Sequence, residues 1–244
     1  MHTNNSWTSS VLISNKQIVI TFLLLCFSVL FFALTNADIF MQDIFFNAHT
    51  HTWLVNKTAQ PYEFLFYSGI KKFLIIFAVT LLFILIIFWK NKKLKAYKKG
   101  LFIVIFSAIF VPVVTGGLKK YTNMPCPKHL IHYGGEYPHT AIWERYEMPY
   151  DKLDSIRCWP AGHASGGFAL MSLFFLFKRK RNKTLALAFS LAIGWSMGMY
   201  KMLIGDHFFS HTLITMLLAW IIILLVEKAV AAFTLSDEAP PLHP

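Results

Sequence analysis

Apolar residues in this chain neither alternate nor recur every three or four positions. They come in long blocks, the pattern of segments surrounded by hydrocarbon. Six blocks approach the roughly 17–25 residues that a helix needs to cross a bilayer. They run Ile18 to Leu34, Ile70 to Trp89, Leu101 to Gly117, Gly162 to Phe177, Leu185 to Leu203 and His211 to Val226. A bilayer offers no water to unpaired backbone groups, so each block is expected to be helical. The predicted architecture is therefore all-α: six transmembrane helices in one bundle over residues 1–235. An outer loop of about 45 residues joins helices three and four, and a disordered tail follows over 236–244. Only Lys16 precedes the first block as a positive charge, and no small-residue cleavage site follows it, so it reads as a retained helix.

Charge orients the bundle. The runs Lys90 to Lys99 and Lys178 to Lys183 hold eleven of the 23 Lys and Arg residues. Short basic loops stay in the cytoplasm. Two spans separate these runs, so both can do so at once. Both termini then lie inside, while residues 35–69, residues 118–161 and the turn near Gly205 lie outside. Nine of the twelve acidic residues fall on that outer side: Asp38, Asp43, Glu63, Glu136, Glu144, Glu147, Asp151, Asp154 and Asp206. Lys71 and Lys72 run against the rule and are expected to snorkel. The basic runs are explained by topology, and no nucleic-acid partner is expected. A composition 56% hydrophobic, with a mean hydropathy of +0.51, excludes an ordinary soluble domain. The expected location is a bacterial inner membrane.

Chemistry-bearing residues gather at the outer helix ends. Lys119 and Cys126-Pro127 follow helix three, Pro160-Ala161-Gly162-His163 opens helix four, and Lys201, His207 and His211 span the turn between helices five and six. Cys126 and Cys158 both fall in the outer loop. An oxidising compartment predicts a disulfide between them, with two free thiols as the alternative. Cys26 is expected to pack inside helix one.

This set resembles the type 2 phosphatidic acid phosphatase superfamily of lipid phosphatases and haloperoxidases. Its pattern is Lys-x6-Arg-Pro, then Pro-Ser-Gly-His, then Ser-Arg-x5-His-x3-Asp. Here the motifs read Lys119-x6-Cys126-Pro127, Pro160-Ala161-Gly162-His163 and Tyr200-Lys201-x5-His207-x3-His211. The resemblance covers the chain from about residue 100. It implies a phosphohistidine mechanism with His207 as nucleophile and His163 as general acid. Lys119 and Lys201 would hold phosphate oxygens, with backbone N–H groups of Ala161 and Gly162 at a helix N-terminus. It implies no metal and no cofactor.

The departures are specific. Cys126 and Lys201 replace two arginines, removing two guanidinium forks. Arg157 is the candidate to supply one, and Lys128 to add charge. Ala161 replaces a serine. His211 replaces the aspartate that orients the nucleophile, and Glu136, Glu144 and Asp154 are candidates to supply a carboxylate instead. His49, His51, His132 and His139 read as interfacial, Gly166 and Gly167 as packing positions, and Lys120 as an anchor.

Two other readings fit the same residues. His207-x3-His211 has zinc-like spacing, with Asp206 or His163 as further ligands. A non-catalytic lipid-binding or transport protein would also need six spans and a basic outer pocket. Within the enzyme class, the expected partners are the bilayer and a phosphorylated membrane lipid. Lipid A, undecaprenyl pyrophosphate, phosphatidylglycerol phosphate and phosphatidic acid all qualify. Transfer of phosphate to a second lipid is an alternative to hydrolysis.

Overall fold

The computed structural model describes residues 4–57, 61–150, 153–154 and 156–236. Asp151 and residues 237–244 of the expected tail lie outside the described residues.

The chain is mostly helical. Helix α1 (Asn4–Leu34) leads through the short α2 (Ala37–Asp43) to a two-stranded hairpin, β1 (Phe46–Asn47) and β2 (Thr52–Trp53). A π-helical turn, Phe64–Ser68, then runs into α3 (Gly69–Ile87). The basic turn α4 (Lys92–Lys95) precedes α5 (Lys98–Leu118). The long loop after α5 contains short 3-10 turns at Lys119–Tyr121, Pro127–His129 and Ile131–Tyr133. Helix α6 (Gly162–Ala169) continues as a 3-10 segment, Leu170–Phe175, and α7 (Lys180–Leu203) and α8 (Phe209–Ser236) complete the fold.

Four helical stretches are long and apolar enough to cross a membrane: Asn15–Leu34, Phe64–Ile87, Lys98–Tyr121 and Phe209–Phe233. They match the first, second, third and sixth blocks. The fourth block is not one continuous α-helix, because it tightens to 3-10 geometry after Ala169. Its glycines explain part of this, since they hold helical backbone weakly. They serve close packing instead. A Cβ on Gly167 would stand 2.7 Å from Gly194 Cα, so only glycine lets α6 lie this near α7. The fifth block forms a 24-residue helix, but Lys180, Arg181, Lys183, Ser190 and Ser196 make it more polar than the other four.

Helix α6 sits centrally, packed on α5, α7 and α8, while α1 lies against α8. The core joins Ile103 and Val111 of α5, Phe168 of α6 and Ile223 of α8. Leu23 and Phe27 on α1, with Phe83 and Ile87 on α3, turn outward, as lipid-facing side chains do. Buried hydroxyls bond back along their own helices, Thr115 Oγ1 to the Val111 carbonyl at 2.7 Å and Ser190 Oγ to that of Ala186 at 2.6 Å.

At the end of the bundle that carries the motif residues, Phe46 and Trp53 of the hairpin pack on Tyr133 of the long loop. The structure joins Cys126 to Cys158, with Cα atoms 5.2 Å apart. Cys158 N–H also donates to the Met124 carbonyl at 3.0 Å. These links hold the two ends of the loop beside the helix ends.

Candidate active site

The turn between α7 and α8, with the helix ends that flank it, carries three of the motif residues, and contacts from distant segments fix its shape. Asp206 and His207 N–H groups both donate to the Lys201 carbonyl, at 2.8 and 3.2 Å. Gly205 adopts φ +71°, and a Cβ there would stand 2.3 Å from the Trp53 ring. Gln42 Nε2 donates to the Met202 carbonyl at 2.8 Å, and Lys128 N–H to that of Gly205 at 3.0 Å. Asp38 accepts from Ser210 N–H at 3.0 Å and from the Ser210 hydroxyl, so a carboxylate from α2 caps the start of α8. Burial raises the Asp38 carboxyl to about 6, against the opposing pull of those two Ser210 bonds.

Around this turn the ionisable motif residues converge. The His163 and His207 rings lie 5.7 Å apart, centre to centre. His207 Nδ1 is 3.3 Å from His211 Nδ1, one turn further along the chain. His207 is only 2% exposed, and its Nε2 is buried with no hydrogen-bond partner among the described residues. Burial, then His211, Lys119, His163 and Lys201 all oppose a second proton, and hold the His207 imidazole well below its ordinary range. It is therefore neutral at pH 7, with a lone pair on one nitrogen.

Lysines supply the positive field. The Lys119 ammonium stands over Gly162, 3.9 Å from where a Cβ would be. Lys119 has no ion-pair partner among the described residues. Lys201, 5% exposed, donates to Asp206 Oδ2 at 2.9 Å, and Lys128 to Asp206 Oδ1 at 2.7 Å. Burial alone would raise the Asp206 carboxyl, but the two lysine hydrogen bonds outweigh it and hold the group below its usual value. Three ammonium groups against one carboxylate leave a net positive site, suited to a phosphate.

Other sequence expectations fare differently. Ala161 N–H donates to Thr215 Oγ1 at 2.9 Å, with the His211 carbonyl at 3.3 Å, and Gly162 N–H donates to the Pro160 carbonyl at 2.9 Å. Both groups are engaged within the protein. Arg157 is exposed, and the bonds and ring contacts that link the cluster do not include it. Glu136, Glu144 and Asp154 are also exposed, and Glu144 accepts from Ala141 N–H at 2.6 Å. None of the three orients His207; the residue at its Nδ1 is His211 itself. Both Asp206 oxygens are bound by lysines, and among the described residues no three His, Cys, Asp or Glu side chains are arranged to hold a metal.

Tyr67 was not among the sequence candidates. Its hydroxyl lies 3.1 Å from His163 Nδ1, and Lys201 Nζ sits 4.3 Å over its ring. No motif marks it: it precedes His163 by 96 positions.

A cleft of about 330 Å³ opens beside His163 between α3, α5 and α6. Tyr67, Lys71 and His163 form its polar end, and Phe77, Leu81 and Ala108 line it further down.

The family model of the PAP2 superfamily matches residues 100–234, more than half of the chain. The chain belongs to the PAP2 superfamily. No curated protein and no solved structure matches it. The PAP2 match spans Lys119, His163, Lys201, His207 and His211, and membership supports a phosphoester hydrolase of the phosphatase and haloperoxidase type.

Proposed function

We propose that this PAP2 protein is an integral membrane lipid phosphatase acting at the periplasmic face through a phosphohistidine on His207. The observation that carries the reading is the His207–His211 pair: Nδ1 to Nδ1 at 3.3 Å, with His207 Nε2 left unpartnered inside a lysine-rich pocket. One of the two facing nitrogens must bear the hydrogen. If His207 donates it, His207 Nε2 carries the lone pair and can attack phosphorus. His211 then accepts at Nδ1 and keeps its own proton on Nε2. A neutral imidazole thus does the orienting that a carboxylate does elsewhere in the family.

The steps follow from the same geometry. Phosphate sits between Lys119 and Lys201, whose charges offset that of its oxygens. His207 Nε2 attacks, the bond to the leaving oxygen breaks, and His163 gives that oxygen its proton. Water then attacks the phosphohistidine while His163 takes a proton from it, and phosphate leaves. Lys128 and Asp206 hold Lys201 in place.

The apolar cleft supports a lipid substrate. It runs beside α3 from the histidines toward Leu81, and a hydrocarbon chain fits its lining. We further propose that α6 with its 3-10 continuation, roughly 24 Å long at 1.5 and 2.0 Å per residue, and α7 are the remaining two of six spans. The Cys126–Cys158 link and the basic turns at the opposite end of the bundle support a periplasmic site.

The test is phosphate release in detergent from phosphatidic acid, undecaprenyl pyrophosphate and lipid A. Wild type should hydrolyse at least one, and His207→Ala should abolish both turnover and acid-labile labelling of the protein by phosphate. His163→Ala should slow both steps. Full activity in either variant overturns the mechanism.

A further inference from the structure

Tyr67 belongs to the half of the chain that the family match does not cover, yet its hydroxyl meets the proton donor of the proposed reaction. We infer that Tyr67 is a positioning residue that fixes which nitrogen of His163 transfers the proton. The inference rests on the phosphohistidine reading.

The geometry is specific. Tyr67 Oη lies 3.1 Å from His163 Nδ1, and the two rings meet edge to face at 87° with centres 5.0 Å apart. The ring is itself held, with Lys201 4.3 Å above it. A π-helical turn, Phe64–Ser68, presents it, and Ser68 Oγ donates to Glu63 at 3.0 Å beside it. Such turns alter the face that a helix presents and recur at functional sites. The hydroxyl therefore occupies a defined position on one side of the imidazole.

The consequence concerns tautomers. With a phosphate dianion bound beside it to offset the lysines, His163 takes a second proton and carries hydrogen on both nitrogens. With Tyr67 Oη accepting from Nδ1–H, the proton given to the leaving oxygen comes from Nε2. The neutral ring that remains keeps its hydrogen on Nδ1 and has a lone pair on Nε2. That lone pair then removes the proton from the attacking water. Tyr67 neither gains nor loses a proton over the cycle. Without its hydroxyl, the ring is free to turn, and the neutral ring is free to carry its proton on either nitrogen.

Tyr67→Phe deletes the hydroxyl and keeps the ring under Lys201. The decisive comparison uses kcat/KM, which reports steps through formation of the phosphohistidine, on two substrates. One is a short-chain phosphatidic acid, whose alkoxide leaving group needs a proton. The other is p-nitrophenyl phosphate, whose leaving group departs without one. On phosphatidic acid the expected loss is about ten- to a hundred-fold, the size of a lost hydrogen bond to a charged group. On the aryl ester the loss is a small fraction of that, and His163→Ala shows the same asymmetry, larger. Equal losses on both substrates would reduce Tyr67 to a packing role and overturn the inference, as would no loss on either. If His163→Ala collapses on phosphatidic acid and Tyr67→Phe does not, the inference alone fails. If His163→Ala retains activity on phosphatidic acid, the phosphohistidine reading fails with it.

Discussion

Residues before position 100 and residues 100–234 build the molecule in different ways. In the spans of α1 and α3, 11% and 6% of the most apolar window is buried by protein; in those of α5 and α8 the shares are 33% and 44%. The first half thus turns most of its apolar surface toward lipid, and the second packs on itself. The PAP2 match falls on the second, where every motif residue lies. The first half still reaches the site, mainly through the segments that join its spans. Asp38 caps α8, Gln42 and Trp53 hold the turn before His207, and Tyr67 meets His163. On the proposed reading, the reactive groups therefore all come from the second half while part of what positions them comes from the first, and substitutions on each side should fail in different ways.

The largest effect belongs to the second half. His211→Ala removes the partner of His207 Nδ1 and should lower kcat by about a hundredfold or more, within the range of positioned proton-transfer groups. His211→Asp restores the family's carboxylate at that nitrogen and should regain most of the loss. Steady-state rates on phosphatidic acid decide it: equal impairment in the two variants would mean that the Nδ1 pair does not orient the nucleophile.

A smaller effect separates the seat of the lipid chain from the chemistry. Ala108→Phe on α5 projects into the cleft opposite α3. Displacing two buried methylenes, at about 0.8 kcal/mol each, raises KM for a long-chain lipid phosphate by about tenfold. A water-soluble aryl phosphate, with no chain to seat, loses far less. A uniform loss on both substrates would remove the chain from the cleft.

The same division marks what could be read in the sequence. Four spans were legible because length and apolarity alone define them. The 3-10 tightening of the fourth block was not, because its glycines were chosen by the neighbouring helix: Gly167 answers to Gly194, a contact that no local pattern records. The convergence of Lys119, His163, Lys201, His207 and His211 was legible from spacing, because they stand at helix ends that the topology brings together. Tyr67 and Asp38 were not, since each acts across a long stretch of chain, 96 residues to His163 and 172 to Ser210. The engagement of the Ala161 N–H within the fold was not legible for a related reason. Read alone, a helix start offers open N–H groups, but here Thr215 of α8 already accepts from Ala161.

Asp38→Ala tests the supporting half directly. It removes the acceptor of the Ser210 N–H at the start of α8 and should lower stability by about 1–2 kcal/mol, as loss of a helix cap does. The thermal midpoint in detergent should fall, and kcat with it, because His207 lies just before the capped residue. An unchanged midpoint would show that α8 does not depend on the first half for its start.

The smallest effect is on the pH profile, and it separates the halves most cleanly. A nucleophilic imidazole works only without its second proton. Burial and the neighbouring His211, Lys119, His163 and Lys201 hold His207 well below the ordinary 6.5, so the acid limb of kcat/KM should stand below pH 6.5. A rate that halves at or above that value would mean that His207 is not the buried nucleophile described. Lys119→Gln removes one repelling charge and should move the limb upward, toward 6.5. All four neighbours belong to the family-matched half. Gln42→Ala, in the other half, removes a support of the turn that does not titrate, and should therefore lower the rate at every pH and leave the limb where it is.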